Sequence, residues 1–103
     1  MNRGEIRWYR FKVPDKKRPV LILTRNSIID FLNEITIAPI STSIRDIPSE
    51  VYLPQSIGMP RDCAINFDHI QTVSKSKIGP LITTLPNQYL NEVGVAISFA
   101  LEI

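Results

Sequence analysis

The sequence predicts an α+β domain: a small, barrel-like antiparallel sheet with one helix laid on it. Three observations carry this. Short apolar runs broken by proline and glycine fill residues 5–68, several of these runs alternate with period two, and the last part of the chain changes to helical spacing. At 103 residues the chain is large enough for one core and too small for two, so residues 1–103 are expected to form a single domain.

The first strand is EIRWYRF, residues 5–11, with Ile6 and Trp8 on one face and Arg7 and Tyr9 on the other. VPDKK follows as a turn in which Pro14 and Asp15 supply the turn chemistry. Residues 18–24 are aliphatic apart from their ends and read as a second strand buried on both sides, joined to the first as a hairpin. Residues 26–33 fit either a short helical turn or an irregular loop. A third strand covers 34–40, ending near Pro39 and running into the hydroxyls Ser41, Thr42 and Ser43. SEVYLP gives a short fourth strand, with Pro48 before it and Pro54 closing it, and GMPRD is a turn. DCAINFD then alternates, with Cys63, Ile65 and Phe67 opposed to Ala64, Asn66 and Asp68, which predicts Asn66 and Asp68 side by side on an exposed face. Past Gly79 and Pro80, helical spacing links Leu90, Val93, Ile97, Ala100 and Leu101, with Pro86 in the first turn and Thr83 or Thr84 as candidate caps.

Composition narrows the function classes. An apolar share of 44% with 21% charged residues is that of a folded, water-soluble domain, and no apolar run approaches the roughly 20 residues of a membrane span. The charged start MNRGEIRW does not resemble a secretion signal, so the expected location is the cytoplasm and no membrane contact is expected. A single cysteine, Cys63, and a single histidine, His69, rule out an internal disulfide and argue against a His/Cys metal site within one chain. No cofactor is expected. Charge is unevenly distributed: up to Arg25 there are eight cations against two acids, and beyond it four against eight, so a basic face is available for a polyanion.

Three groups of residues have the chemistry for a site. Arg18 precedes a proline, which biases it to an extended backbone and holds its guanidinium, a planar fork suited to phosphate. Its plain alternative is a solvated cation at a strand end. Ser41, Thr42 and Ser43 are adjacent hydroxyls that either satisfy a turn or donate to a phosphate oxygen. Asn66, Asp68 and His69 carry donors and acceptors apt for nucleobase edges, against the alternatives of an ordinary salt bridge for Asp68 and a structural histidine.

The order of RGEIRW, KRPVLIL, IAPIST, DIPSEV and GMPRDCAINFDHIQTVSKSKIG, with a final helix ending ISFALEI, resembles the MazF/PemK-like toxins of bacterial toxin–antitoxin systems over nearly the whole chain. The resemblance implies an SH3-like or barrel-like fold, a homodimer and a metal-independent endoribonuclease of the mRNA interferase type acting on single-stranded RNA, and it leaves DNA binding open. It also implies a cognate antitoxin whose disordered tail folds over the RNA groove. The implied catalytic pair is Arg18 and Ser41, serine standing where the family carries threonine, with support from Thr42, Asp15, Asp68 or His69. Lys16, Lys17, Ser49, Asn66, Asp68 and His69 fall where RNA contacts are implied. The first loop is shorter than is common in the family, and Asp15 is its one acid. The rival reading is a non-catalytic toxin of the same fold that binds a protein target such as a topoisomerase, or a plain RNA-binding module.

Overall fold

The computed structural model describes residues 1–11 and 16–103. Seven antiparallel strands run through these residues: β1 (Glu5–Arg10), β2 (Lys17–Ile22), β3 (Glu34–Ser41), β4 (Glu50–Leu53), β5 (Cys63–Asn66), β6 (Gln71–Ser74) and β7 (Ile78–Thr84). A one-turn helix α1 (Asn26–Ile29) links β2 to β3, and α2 (Leu90–Leu101) ends the fold. The strands follow the order β4-β5-β3-β2-β1-β7. Strand β3 is the pivot. Its middle pairs with β2 on one side, and on the other side its first half pairs with β6 while Ile40 and Ser41 pair with β5. That change of partner curls the sheet toward a barrel.

The strand stems are aliphatic because both faces are buried. One core gathers Ile6, Leu21, Ile40, Leu53, Ile65 and Phe67 beneath α2, and a second gathers Tyr9, Val20, Ile22, Ile29, Ile35 and Ile37 on the opposite face. Each fully buried aliphatic contributes roughly 1.5–3 kcal/mol. The expectation that β2 is buried on two sides holds, since Val20 and Ile22 belong to the second core and Leu21 to the first. In β1 the two faces likewise divide between Ile6 and Tyr9. Of the two readings for residues 26–33, a helical turn forms over Asn26–Ile29 and its Ile29 is buried.

Other expectations need correction. Strand β2 starts at Lys17 and ends at Ile22, earlier at both ends than the sequence pattern indicates. The stretch after Gly79 and Pro80 is not yet helical, because Ile78–Thr84 is strand β7, and β6 precedes it. Arg7 faces Leu81 and Tyr9 faces Ile78, so Gly79 and Pro80 together oppose Trp8 as a bulge. An edge strand tolerates a proline at such a bulge. Glycine suits the close approach here, since a Cβ at 79 would lie 3.2 Å from the Trp8 carbonyl oxygen, a tight contact. The Arg7 guanidinium holds the bulge, donating to the Gly79 carbonyl at 3.1 Å and to the Glu5 carboxylate at 2.7 Å.

Neither Thr83 nor Thr84 caps the helix. Thr83 donates to the Ile57 carbonyl at 3.1 Å, and α2 begins at Leu90 after a 3-10 turn over Asn87–Tyr89. Its inward stripe is Val93 and Ala96, flanked by Ile97 and Ala100, whereas Leu90 and Leu101 are exposed. Among the described residues no helix is long and apolar enough to cross a membrane.

Candidate active site

Arg18 lies on β2 opposite Tyr9 of β1. Pro19 follows it one residue before the β2–β3 ladder opens at Val20, so the missing N–H interrupts no bond to β3. The β2–β3 register pairs Val20 with Pro39, Leu21 with Ala38 and Ile22 with Ile37. Continued outward by two residues, it brings Arg18 level with Ser41, the last residue of β3.

The two residues share a cavity of about 400 Å³. Lys16, Lys17 and Arg61 line it with them, Trp8 and Thr42 form part of its wall, and among the described residues no acidic side chain lines it. Four cations around one concave surface attract an anion, and burial of part of the cavity wall strengthens that attraction. The Arg18 side chain is exposed and makes no hydrogen bond or ion pair with any other described residue. Ser41 is half-buried, and its hydroxyl oxygen accepts the backbone N–H of Ser43 at 3.0 Å. With a lone pair so engaged, the hydroxyl proton points elsewhere and is available to a ligand. Turn satisfaction and ligand donation, the two readings of this hydroxyl, are therefore compatible.

Trp8 and Arg61 are cavity residues that sequence reasoning missed. GMPRD reads only as a turn, and no local signal marks Arg61, because its place depends on the loop folding back. Gly58 takes a left-handed φ of +108°, Gln55 donates its backbone N–H to Asp62 at 2.7 Å, and the Gln55 side chain donates to the Pro60 carbonyl at 3.3 Å. These contacts brace the loop that presents Arg61. Cys63 also lines the cavity, but it is 3% exposed, and burial with the nearby Asp62 charge pushes its thiol up to about 11. A thiol so held is protonated and a poor nucleophile.

The polar residues around the end of β5 form a separate cluster. None of Ser49, Asn66, Asp68 and His69 lines the cavity with Arg18 and Ser41. The expected exposed face of β5 is absent: Ala64 is 1% exposed and Asn66 6%, and the strand ends there in a 3-10 turn over Phe67–His69. The Asn66 amide oxygen accepts from the Asp68 backbone N–H at 2.9 Å, and its nitrogen sits 3.3 Å from Nδ1 of His69. Ser49, also buried, donates its hydroxyl to Asp68 at 2.6 Å. Asn66 and Ser49, expected as RNA contacts, are buried and make internal hydrogen bonds that hold the exposed Asp68 and His69 in place. Asp15 lies outside the described residues.

A profile described as PemK-like, MazF-like toxin of type II toxin–antitoxin system matches residues 2–101. The chain belongs to that family. Among MazF relatives, the probable endoribonuclease MazF2 of Mycobacterium tuberculosis is 33% identical over 93 residues, 89% of each chain. The M. tuberculosis toxin MazF-mt6 superposes with a TM-score of 0.89 at 30% identity, covering 96% of this chain and 97% of its own. A mycobacterial endoribonuclease solved with its cognate antitoxin shares the fold, with a TM-score of 0.86 at 23% identity over 100% of this chain and 96% of its own. In this MazF-like chain the cation-lined cavity is thus part of a toxin fold, and its lining brings a guanidinium and a hydroxyl to one concave surface.

Proposed function

We propose that the protein is a metal-independent endoribonuclease that cuts single-stranded RNA where Arg18 and Ser41 meet. The observation that carries this is their shared cavity, which has four cations, a hydroxyl with a free proton and, among the described residues, no acid in its lining. A scissile phosphate seated there is attacked by its own ribose 2′-oxygen. The O2′–P bond forms as the P–O5′ bond breaks, the 2′ proton passes to solvent and the 5′ oxygen takes one up. A cyclic 2′,3′-phosphate and a 5′-hydroxyl end result.

The demanding feature of that path is negative charge growing on the phosphorane oxygens. Arg18 meets it as a permanent cation whose fork reaches two oxygens, and Ser41 donates its proton to the same group. Lys16 and Lys17 hold flanking phosphates. Asp68 and His69, exposed beyond β5, contact bases farther along the strand.

Two partnerships belong to this reading, both in the cytoplasm. Val95, Phe99, Leu101 and Ile103 leave an apolar surface exposed on and after α2, which a second copy of the chain covers to make a homodimer. A cognate antitoxin, through a disordered acidic segment, competes with RNA for the cavity cations. Support for it comes from family membership and from the relative solved with its own antitoxin.

The test is incubation of the protein with a long RNA in excess EDTA, beside Arg18→Ala, with the product ends mapped. Discrete cuts bearing 5′-hydroxyl ends, lost in the variant, are expected. Intact RNA in both samples would overturn the reading in favour of a binding module.

A further inference from the structure

A second groove, of about 810 Å³, opens on the far side of Trp8 between the ends of β1 and β2 and the start of β7. Trp8 and Lys17 line both this groove and the Arg18–Ser41 cavity, so the two adjoin. Its remaining wall includes Arg10, Phe11 and Lys77, and among the described residues no acidic side chain lines it. Lys77 is exposed on the 3-10 turn before β7, and its side chain makes no hydrogen bond or ion pair with another described residue. Phe11 is half-buried, and its ring is fixed edge-on against Tyr9 with centroids 4.7 Å apart. Gly79, also in the wall, lies close against the Trp8 backbone.

Cations beside fixed aromatic rings make the surface that single-stranded nucleic acid uses without reading sequence: phosphates meet the cations and bases stack on the rings. We infer that this groove is a second RNA subsite, taking the nucleotides that flank the cleavage site on one side, with Lys77 on a phosphate and Phe11 and Trp8 against bases. The inference rests on the RNA-cutting reading above, yet its test needs no cleavage.

Trp8 is the only tryptophan, so its fluorescence reports occupancy directly. The probes are 2′-O-methyl oligonucleotides, which lack the attacking hydroxyl, in a short form spanning only the cavity and a longer form that also reaches the groove. Wild type should bind the longer probe on the order of 10-fold or more tightly, the scale of one stacked base. Lys77→Glu should abolish that length gain and flatten the salt dependence by about 0.7 for each phosphate it no longer neutralises. Arg45→Glu makes the same charge change on a residue that lines neither groove and should keep the gain. No length gain in wild type, as for a groove that receives an acidic peptide instead, would overturn the inference. So would a gain that survives Lys77→Glu or is lost equally in Arg45→Glu. Failure of wild type to cut a long RNA would count against the catalytic reading alone, since the length gain is measured on uncleavable strands.

Discussion

The hydroxyl oxygen of Ser41 accepts the backbone N–H of Ser43 at 3.0 Å, which orients the side chain and leaves its proton for a ligand in the Arg18 cavity. Removing the hydroxyl by Ser41→Ala should lower kcat on the order of 100-fold with little change in fold. Ser41→Thr, which keeps the hydroxyl, should stay within about 10-fold of wild type. Single-turnover cleavage of a defined RNA checks both, and equal losses in the two variants would remove the hydroxyl from the mechanism.

Arg18 is exposed and holds no described partner, so its replacement should leave stability within about 0.5 kcal/mol. Its effect on cleavage should be large. Arg18→Lys keeps the charge but not the planar fork, and should lose on the order of 100-fold in kcat, because a bidentate site does not accept lysine as equivalent. Urea midpoints measured beside the cleavage rates separate the two effects.

Ser49 donates to the Asp68 carboxylate from a fully buried position, an arrangement that ties β4 to the turn after β5. Ser49→Ala should lower stability by about 1 kcal/mol, the lower end for a hydrogen bond to a charged group because Asp68 itself is exposed. The midpoint of urea unfolding reads this.

The Cys63 thiol, pushed up to about 11, should resist thiol reagents at pH 7.5 and react promptly once the chain is unfolded. Native-state labelling should accelerate as pH rises toward 11. Fast labelling of the folded protein at neutral pH would show that the cavity wall around Cys63 opens readily.

Burial of the Glu5 carboxyl tends to raise its pKa, but the hydrogen bond from Arg7, that from Asn2 and the adjacent positive charges outweigh it and leave the group below the ordinary value of 4.5. The folded state therefore binds this proton less readily than the unfolded one. Its contribution to stability is full above pH 4.5 and is lost as pH falls through the lower folded value. Wild type should exceed Glu5→Gln in stability at pH 7, with the difference shrinking below that range. Thermal unfolding of both proteins across pH 3–7 measures it.

Much of the fold was legible because its signals are local. The aliphatic run after Pro19, the hydroxyls closing β3 and the period of α2 each lie within a short stretch, whereas the pairing of Arg18 with Ser41 came from the family resemblance. β7 was not legible. Gly79 and Pro80 look like a break in the chain, and only the pairing with β1 turns them into a bulge opposite Trp8. The same holds for Asn66, whose alternation suggested an exposed face that the packing of β5 between β3 and β4 removes.

Propensity, period and motif are properties of neighbouring residues, and they were enough to specify most element types and the basic N-terminal region, while the family resemblance implied the two residues proposed for catalysis. Which groups share a cavity was settled by folding alone. Trp8 reaches Arg18 through the pairing of β1 with β2 and Arg61 through the fold-back of the loop after β4, whereas Asn66, Asp68 and His69 are carried into a cluster of their own. Convergence of distant segments depends on register, curl and burial, and none of these is written in any single stretch of the chain.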